Sequence, residues 1–344
     1  MRFHSLYGAI ALIGLAHVQS LQADSIYQLV VFGDSLSDNG NAAAALASAG
    51  KTLGNYAANA FTDGPQTLPA AIGPQGLWID HLAALLSLPD PQPFVVSTTF
   101  GSSGGMLSAN ASGTNFAVAS ALAGNNANFS PTNYLNPANP QVPGTTNQVE
   151  LFLSFNGQRA SPENLYVFWA GANNLFQSFG SVSSFVKFPE IAKNAADSVA
   201  ADIATLASAG GKHFLWMNLP PLGHVPYVND NSDIFVRALG PAAADGAALV
   251  FNDELARQVN GLQTKYGIDI AVVNTNSLFS AITANPSKYG FVDVRDAGWC
   301  GTDGVKACTR DNPHTFLFWD ELHPTTAAHQ VLAQFTYSYV ASRF

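Results

Sequence analysis

A serine follows a short apolar run near the start of the chain. Residues 27–32 are apolar and bounded by turn formers, which predicts a buried strand that ends in Gly33-Asp34-Ser35. Open α/β sheets bind ligands at the carboxyl ends of their strands, so Ser35 is a candidate nucleophile. The alternative is an ordinary turn between a strand and a loop, since Gly, Asp, Ser and Asn all favour turns.

An aspartate and a histidine lie three residues apart near the other end of the chain. The spacing lets Asp320 accept a hydrogen bond from one ring nitrogen of His323 and leaves the other nitrogen to take a proton from a serine. Pro324 would then stand near the start of a helix, where its missing N–H matters little. In the alternative interpretation Asp320 caps that helix and His323 lies at the surface.

Hydrolysis of an ester also needs donors for the oxyanion of the tetrahedral intermediate, and the loss of one donor costs about 3 to 4 kcal/mol. Residues 171–174 follow a predicted strand at 165–169 and place the side-chain amide of Asn173 at that strand's carboxyl end. A turn rich in asparagine is the alternative for the same residues.

Strands and helices alternate along the part of the chain that must position these side chains. Such alternation predicts an α/β fold with parallel strands and helices on both faces of the sheet. Two long irregular stretches are expected at 54–76 and 89–143, the second with a strand end at 115–119. Further strands are predicted at 213–217 and 268–273, and helices at 41–49, 77–86, 191–209, within 241–266, and at 325–339.

Four segments in this order resemble the GDSL family of lipases and acylhydrolases, also called SGNH hydrolases. The likeness extends over essentially the whole chain after the first residues. The segments are residues 32–41, 115–120, 169–176 and 320–327, and residues 218–223 also resemble a segment of the lipase-like branch.

The resemblance implies a three-layer α/β/α sandwich around a parallel, flavodoxin-like sheet. It implies that Ser35 is the nucleophile, His323 the base and Asp320 the residue that orients it. The oxyanion hole would combine the Ser35 N–H, the Asn173 side chain and a backbone N–H of the second segment, assigned to Ala119. No metal and no organic cofactor is expected.

The chain departs from the family pattern at two places. Ala119-Ser120 stand where the family usually has two glycines, so an unusual backbone torsion there would be strained. Asn174 replaces the aspartate that usually follows the oxyanion asparagine, which keeps the size and removes a charge. Neither change removes a catalytic atom.

Composition excludes several classes of function. The 344 residues are 47% hydrophobic and 11% charged, which suits a large buried core and not a disordered chain. A net charge of -9 without clusters of Lys and Arg argues against binding to nucleic acid or anionic lipid headgroups. No repeat or linker divides residues 24–344, so one domain is expected; the oligomeric state stays open.

The first residues are typical of an export signal. Arg2 and His4 precede an apolar run at 6–15 that is too short to span a bilayer, which predicts a cleaved signal peptide at 1–23, a secreted protein and no stable membrane insertion. A retained membrane anchor is the less favoured alternative. In an oxidising compartment the two cysteines, Cys300 and Cys308, are expected to form a disulfide.

The expected substrate is a carboxylic ester with an acyl chain, such as a lipid-like ester. A carbohydrate acetyl esterase and a non-catalytic secreted binding protein are the alternatives. Substrate-binding residues are not assigned, although six apolar side chains are candidates for an acyl channel, with core packing the more frequent role of each: Phe61, Leu77, Trp78, Phe94, Phe100 and Phe176.

Overall fold

The structure is a computed structural model. It describes residues 26–53, 56, 59–63, 76–99, 105–130, 141–298, 313–341 and 343–344. The predicted signal peptide and both cysteines lie outside these residues, so the export signal and the disulfide stay predictions.

A four-stranded parallel sheet forms the centre of the fold. Its strands are β1 (Gln28–Gly33), β4 (Asn164–Trp169), β5 (His213–Met217) and β6 (Asp269–Val273), in the order β1-β4-β5-β6. Every residue of β4 and β5 is buried, as expected for strands covered on both faces. The strand predictions at residues 27–32, 165–169, 213–217 and 268–273 are confirmed to within one or two residues.

An irregular segment extends the sheet on the other side of β1. The N–H of Val31 donates to the Thr114 carbonyl at 2.9 Å, the Phe116 N–H donates back to Val31 at 2.8 Å, and the Val118 N–H donates to Gly33 at 3.1 Å. If the strands of this sheet are numbered along the chain with residues 114–118 as the second, their order across the sheet is 2-1-3-4-5, which is the flavodoxin order. The predicted fold is therefore confirmed. The order in which strands are added to the sheet reverses beside β1.

Helices cover the sheet on both faces. Their bounds are α1 Asn41–Ser48, α2 Trp78–Leu85, α3 Thr145–Phe155, α4 Ala172–Phe176, α5 Phe188–Ser208, α6 Pro226–Asn229, α7 Ile234–Tyr266, α8 Thr275–Ala284 and α9 Thr326–Val340. The helices α3, α5 and α7 pack together in one group and α2 packs against α9 in another. Short 3₁₀ turns lie at Val182–Lys187, Leu222–His224, Pro286–Tyr289 and Pro313–Thr315.

Two small sheets were not predicted. The antiparallel pair β2 (Val95–Thr99) and β3 (Gly105–Ala109) lies within the stretch expected to be irregular, and β7 (Asp293–Ala297) pairs in parallel with β8 (Phe316–Phe318). The Ser, Gly and Asn content around β2 outweighed its β-branched residues in the sequence-based prediction. Tertiary contacts decide otherwise, because the side chain of Asn41 accepts the Val95 N–H at 2.7 Å.

The long helix α7 begins earlier than predicted and contains Pro241. Its start is stabilised by the carboxylate of Asp233, which accepts the N–H groups of Phe235 at 2.8 Å and Val236 at 3.2 Å. By length and composition alone α7 is apolar enough to cross a membrane, and 33% of its most apolar window is buried. The prediction of no stable membrane insertion is not tested by this observation.

A buried carboxylate joins α5 to the start of α3. The two oxygens of Asp202 accept the hydroxyl protons of Thr145 and Thr146, each at 2.6 Å, and the residue is only 2% exposed. Burial raises the pKa of Asp202 to about 7, although both hydroxyls favour the ionised form. Because the folded pKa lies above the unfolded one, the stability that Asp202 contributes is lost as the pH rises through about 7.

We expect Asp202→Asn to flatten the pH dependence of stability. Between about pH 5 and about pH 8 the wild-type free energy of unfolding should decrease, and the variant should lose less of it, by on the order of 2 kcal/mol. Urea denaturation at both pH values measures the difference. Glu163→Gln, at an exposed carboxyl, is the control and should keep the wild-type dependence. Identical dependences for Asp202→Asn and wild type would contradict the assignment.

Candidate active site

Ser35 is half-buried and lies just past the carboxyl end of β1, where the strand order of the sheet reverses. Gly33 ends the strand, and a Cβ atom there would lie 2.5 Å from the Trp169 carbonyl oxygen of β4. Any side chain at this position would therefore push the two strands apart. The close approach of β1 and β4 sets the direction in which the chain leaves the sheet toward Ser35.

The side chain of Gln148 fixes the end of β1. Its Oε1 accepts the Gly33 N–H at 2.9 Å and its Nε2 donates to the Gly33 carbonyl at 2.8 Å. Gln148 is fully buried on α3. The amide thus pairs with the backbone of Gly33 much as a neighbouring strand would.

A second buried side chain fixes the loop after Ser35. The carboxylate of Asp38 accepts the backbone N–H groups of Gly40 at 3.0 Å, Asn41 at 2.7 Å and Ala42 at 3.1 Å, which are at the start of α1. It also accepts the Ala119 N–H at 2.9 Å, and so links this loop to the segment beside β1. Burial raises the pKa of Asp38 to about 6 despite these donors.

The residues predicted as nucleophile, base and orienting carboxylate lie in one hydrogen-bonded chain. The Oγ atom of Ser35 is 2.8 Å from Nε2 of His323, and Nδ1 of His323 is 2.8 Å from Oδ2 of Asp320. Asp320 and His323 are 8% and 9% exposed. The structure therefore brings together three residues that the sequence separates by up to 288 positions.

A tight loop between β8 and α9 presents Asp320 and His323. The Trp319 N–H donates to the His323 carbonyl at 2.7 Å, and Oδ1 of Asp320 accepts the N–H groups of Leu322 and His323, both at 2.7 Å. The side chain of Thr325, not that of Asp320, caps α9. The alternative of a capping aspartate and a surface histidine is therefore wrong.

The charge on Asp320 is stabilised inside the protein. Burial alone would raise its pKa, but the nearby His323, hydrogen bonds from His323 and Tyr56, and the Leu322 N–H together lower the pKa below its usual value. Asp34, beside the nucleophile, behaves differently, since burial raises its pKa to about 6. The surroundings thus favour the ionised form of Asp320, which is hydrogen-bonded to the imidazole, and disfavour that of Asp34.

Asn173 lies at the start of α4 and lines the same pocket as Ser35 and His323. One hydrogen of its Nδ2 is donated to the Ala121 carbonyl at 3.0 Å, which orients the amide. The second hydrogen is left for an oxyanion. The backbone N–H of Ser35 makes no hydrogen bond with any other described residue.

The assignment of Ala119 to the oxyanion hole conflicts with the structure. Its N–H already donates to Oδ2 of Asp38 at 2.9 Å, so an oxyanion would have to compete with a buried carboxylate. The next N–H, that of Ser120, has no partner among the described residues and is the better donor in this segment. Ser120 has φ 66°, and so the strain expected where the family has glycine is present.

The departure at Asn174 has a structural explanation. Its Oδ1 accepts the Ala123 N–H at 2.9 Å and its Nδ2 donates to the Ala123 carbonyl at 3.1 Å. An ionised aspartate has no hydrogen to donate and would make only the first of these bonds. Asp38 therefore holds the residue before Ser120, and Asn174 holds the third residue after it.

A pocket of about 60 Å³ opens beside Ser35 and His323. Of the six predicted channel residues only Phe176 lines it; Leu77, Trp78 and Phe94 are buried in the core, Phe61 packs against the ring of His323, and Phe100 lies outside the described residues. The pocket wall is mostly apolar and includes Leu219, Pro220, Pro221, Leu222, Val225 and Phe279.

The structure adds one residue that sequence reasoning missed. The hydroxyl of Tyr56 donates to Oδ2 of Asp320 and lies 3.3 Å from Nδ1 of His323. Tyr56 stands in a stretch broken by Gly and Pro, far from every recognisable motif, so no pattern pointed to it. Among the described residues no three His, Cys, Asp or Glu side chains gather as a metal site, and the absence of a cofactor stays a prediction.

Comparison with known proteins gives one family. The family model described as GDSL-like Lipase/Acylhydrolase matches residues 29–335. The chain is similar to GDSL esterase/lipase 6 of Arabidopsis thaliana, with 29% identity over 50% of each chain. It is also similar to the thermolabile hemolysin of Vibrio parahaemolyticus, with 26% identity over 47% of this chain and 40% of that one.

A third relative extends over nearly the whole chain. An uncharacterized protein in the trpE-trpG intergenic region of Pseudomonas putida is 27% identical over 97% of this chain and 52% of its own length. The chain thus spans about half the length of these relatives, or less.

We expect Ser120→Gly to stabilise the protein, because glycine adopts a positive φ without the steric cost that a Cβ atom brings. The free energy of unfolding should increase by up to about 1 kcal/mol, measured by chemical denaturation. Ser120→Ala is the control, since it removes the hydroxyl and keeps the Cβ atom. Equal stability of the two variants would argue that the backbone here is not strained.

Proposed function

The chain belongs to the GDSL-like lipase/acylhydrolase family, and we propose that it hydrolyses carboxylic esters with Ser35 as nucleophile. The observation that carries the proposal is the chain of hydrogen bonds from Asp320 through His323 to Ser35, with 2.8 Å at each of its two steps. A weakly acidic hydroxyl needs such a neighbouring base, itself oriented by a third group, to become nucleophilic.

In the first step Oγ of Ser35 attacks the carbonyl carbon of the ester and its proton moves to Nε2 of His323. Asp320 stabilises the imidazolium that forms, and it is held ionised for this role. The carbonyl oxygen becomes an oxyanion, which would accept hydrogen bonds from the Ser35 N–H, the Asn173 amide and the Ser120 N–H.

In the second step the tetrahedral intermediate breaks its bond to the alcohol oxygen, which takes the proton from Nε2 of His323 and leaves. The acyl group remains on Ser35 as an ester. His323 then removes a proton from water, whose oxygen attacks the acyl carbon, and the return of the proton to Oγ releases the carboxylic acid.

The pocket beside Ser35 suggests which part of the substrate it accepts. Its wall is mostly apolar, as an acyl chain requires, and its volume of about 60 Å³ favours a short chain. The same small volume favours a second candidate, an esterase that removes acetyl groups from a carbohydrate. The third alternative, a binding protein without catalysis, does not account for the alignment of Ser35 with His323.

We also propose that the protein is exported. This proposal rests on the sequence of residues 1–23, and the Cys300–Cys308 disulfide would follow from export into an oxidising compartment.

Ser35→Ala should abolish ester hydrolysis, with a loss of at least about 10³-fold, while the thermal unfolding profile stays that of wild type. A fluorophosphonate probe should label wild type and not the variant, because only an activated serine reacts. Asp320→Asn should retain a small residual rate, since the oxyanion donors remain. Equal labelling of wild type and Ser35→Ala would reject Ser35 as the nucleophile.

A panel of nitrophenyl esters should show a preference for short acyl chains. Because the pocket is small, kcat/KM should be at least about tenfold higher for the butyrate than for the palmitate. Acetylated xylan in the same panel separates the acetyl esterase from the acyl esterase. A preference for the palmitate would show that the acyl chain does not enter this pocket.

A further inference from the structure

Two aromatic side chains, Tyr56 and Phe61, pack against the imidazole of His323. The rings of Tyr56 and His323 are perpendicular with centroids 5.7 Å apart, and the Phe61 ring lies 5.2 Å from His323 and 4.8 Å from Tyr56. Phe61 and Tyr56 belong to the loop after α1, not to any of the four segments that predicted the site. They bring the hydroxyl of Tyr56 into the space between Asp320 and His323.

The loop that follows these rings is bound to the same segment as the base. The hydroxyl of Thr62 donates to the Pro324 carbonyl at 3.1 Å, and Oδ1 of Asp63 accepts the Thr326 N–H at 2.6 Å. Thr62 and Asp63 are buried. These bonds fix Phe61 relative to the start of α9, and thereby the packing of Tyr56 against it.

The hydroxyl of Tyr56 completes the hydrogen bonding of Asp320. Oδ1 accepts the N–H groups of Leu322 and His323, and Oδ2 accepts Nδ1–H of His323 and the hydroxyl of Tyr56. All four acceptor positions of the carboxylate are thereby used. Tyr56 and the imidazole therefore donate to the same oxygen, and each reduces the negative charge that the other meets.

Tyr56 stays a neutral donor in this position. Burial raises the pKa of Tyr56 above its usual range, and the negative charges of Asp320 and Glu321 raise it further. The proton between Tyr56 and Asp320 consequently remains on the phenol. A permanent donor to Oδ2 weakens the attraction of Asp320 for a protonated imidazole more than its attraction for a neutral one.

We propose that Tyr56 is a positioning residue that, through its hydrogen bond to Oδ2 of Asp320, weakens the stabilisation that Asp320 gives to the imidazolium of His323. The proposal rests on the ester hydrolysis proposed above. Without the hydroxyl, Asp320 would present its full charge to His323 and stabilise the imidazolium. Ester hydrolysis would then require a higher pH, because the reaction begins with a neutral imidazole.

Other ionisable groups also face this pair. Asp34 and His329 each interact electrostatically with His323, and beyond them lie Asp38 and His81. Glu321 faces Tyr56. All of these groups are retained when only the phenol oxygen is removed, so a comparison of Tyr56→Phe with wild type isolates the hydroxyl.

The experiment is the pH profile of kcat/KM for Tyr56→Phe and wild type with a short-chain nitrophenyl ester. We expect the acidic limb of the variant to move upward by about 0.5 to 1 pH unit, which is about 3- to 10-fold less activity on that limb, with the plateau within about twofold of wild type. Tyr166→Phe is the matched control, since it removes a buried hydroxyl that donates to the Ser161 carbonyl at 2.9 Å, away from the site. The acidic limb of the Tyr166→Phe profile should not move.

A double-mutant cycle tests whether Tyr56 acts through Asp320. In an Asp320→Asn background the charge is gone, and Tyr56→Phe should no longer move the limb of the residual activity. An unmoved or lowered limb in the single variant, or an equal upward shift in both backgrounds, would overturn the proposal.

NMR titration of the His323 ring separates this proposal from the proposed function. If the titration midpoint rises in Tyr56→Phe, the role of Tyr56 is supported even where wild type hydrolyses no ester in the panel. If wild type hydrolyses esters while the midpoint and the limb stay in place, the role of Tyr56 is rejected and the esterase assignment is retained. Loss of folding in Tyr56→Phe would be visible in the same spectra. In that case Tyr56→Leu is compared with Phe61→Leu, which tests whether loss of the hydroxyl moves the midpoint more than loss of a ring alone does.

Discussion

The site depends on one hydrogen bond, from Oγ of Ser35 to Nε2 of His323, and the rest of the structure has to keep these two atoms in place. Its 2.8 Å length joins two loops that come from opposite ends of the chain. An error of about 1 Å in the position of either loop is enough to cost about a hundredfold in rate. Loops have no regular hydrogen-bond ladder of their own, so other side chains have to hold these two in place.

Side-chain amides hold the backbone at three places around the site. Gln148 pairs with both backbone groups of Gly33, Asn174 with those of Ala123, and Asn252 with those of Leu219 at 2.8 and 2.9 Å. Gly33 lies two residues before Ser35, Ala123 lies three residues after Ser120, and Leu219 lines the pocket. Buried backbone groups without a strand partner must find another partner, and an amide offers a donor and an acceptor together. The asparagine at 174 is thus suited to its place by chemistry that a carboxylate lacks.

The site also carries features that oppose stability. Asp34 and Asp38 are buried carboxyl groups close to Ser35 in the chain, and burial disfavours their ionised forms. Ser120 holds a positive φ directly after Ala119, whose N–H donates to Asp38. Residues in such states persist only where the surrounding structure over-determines them, and they are typical of functional sites. The four backbone donors around Asp38 and the two bonds of Asn174 provide that support here.

The sequence by itself determined the four strands of the central sheet, five of the helices and the place of the strain at Ser120. It also singled out Ser35, Asn173, Asp320 and His323 as candidate site residues. These follow from local patterns: apolar runs, turn formers and short motifs that survive without knowledge of neighbours. Only the tertiary structure decided that Ala119 donates to Asp38, that β2 and β3 pair, that Leu77, Trp78 and Phe94 are core, and that Tyr56 contacts Asp320. Each of these depends on which distant backbone or side chain lies within about 3 Å, and hydrogen bonding at that range is set by the packing of elements remote in sequence.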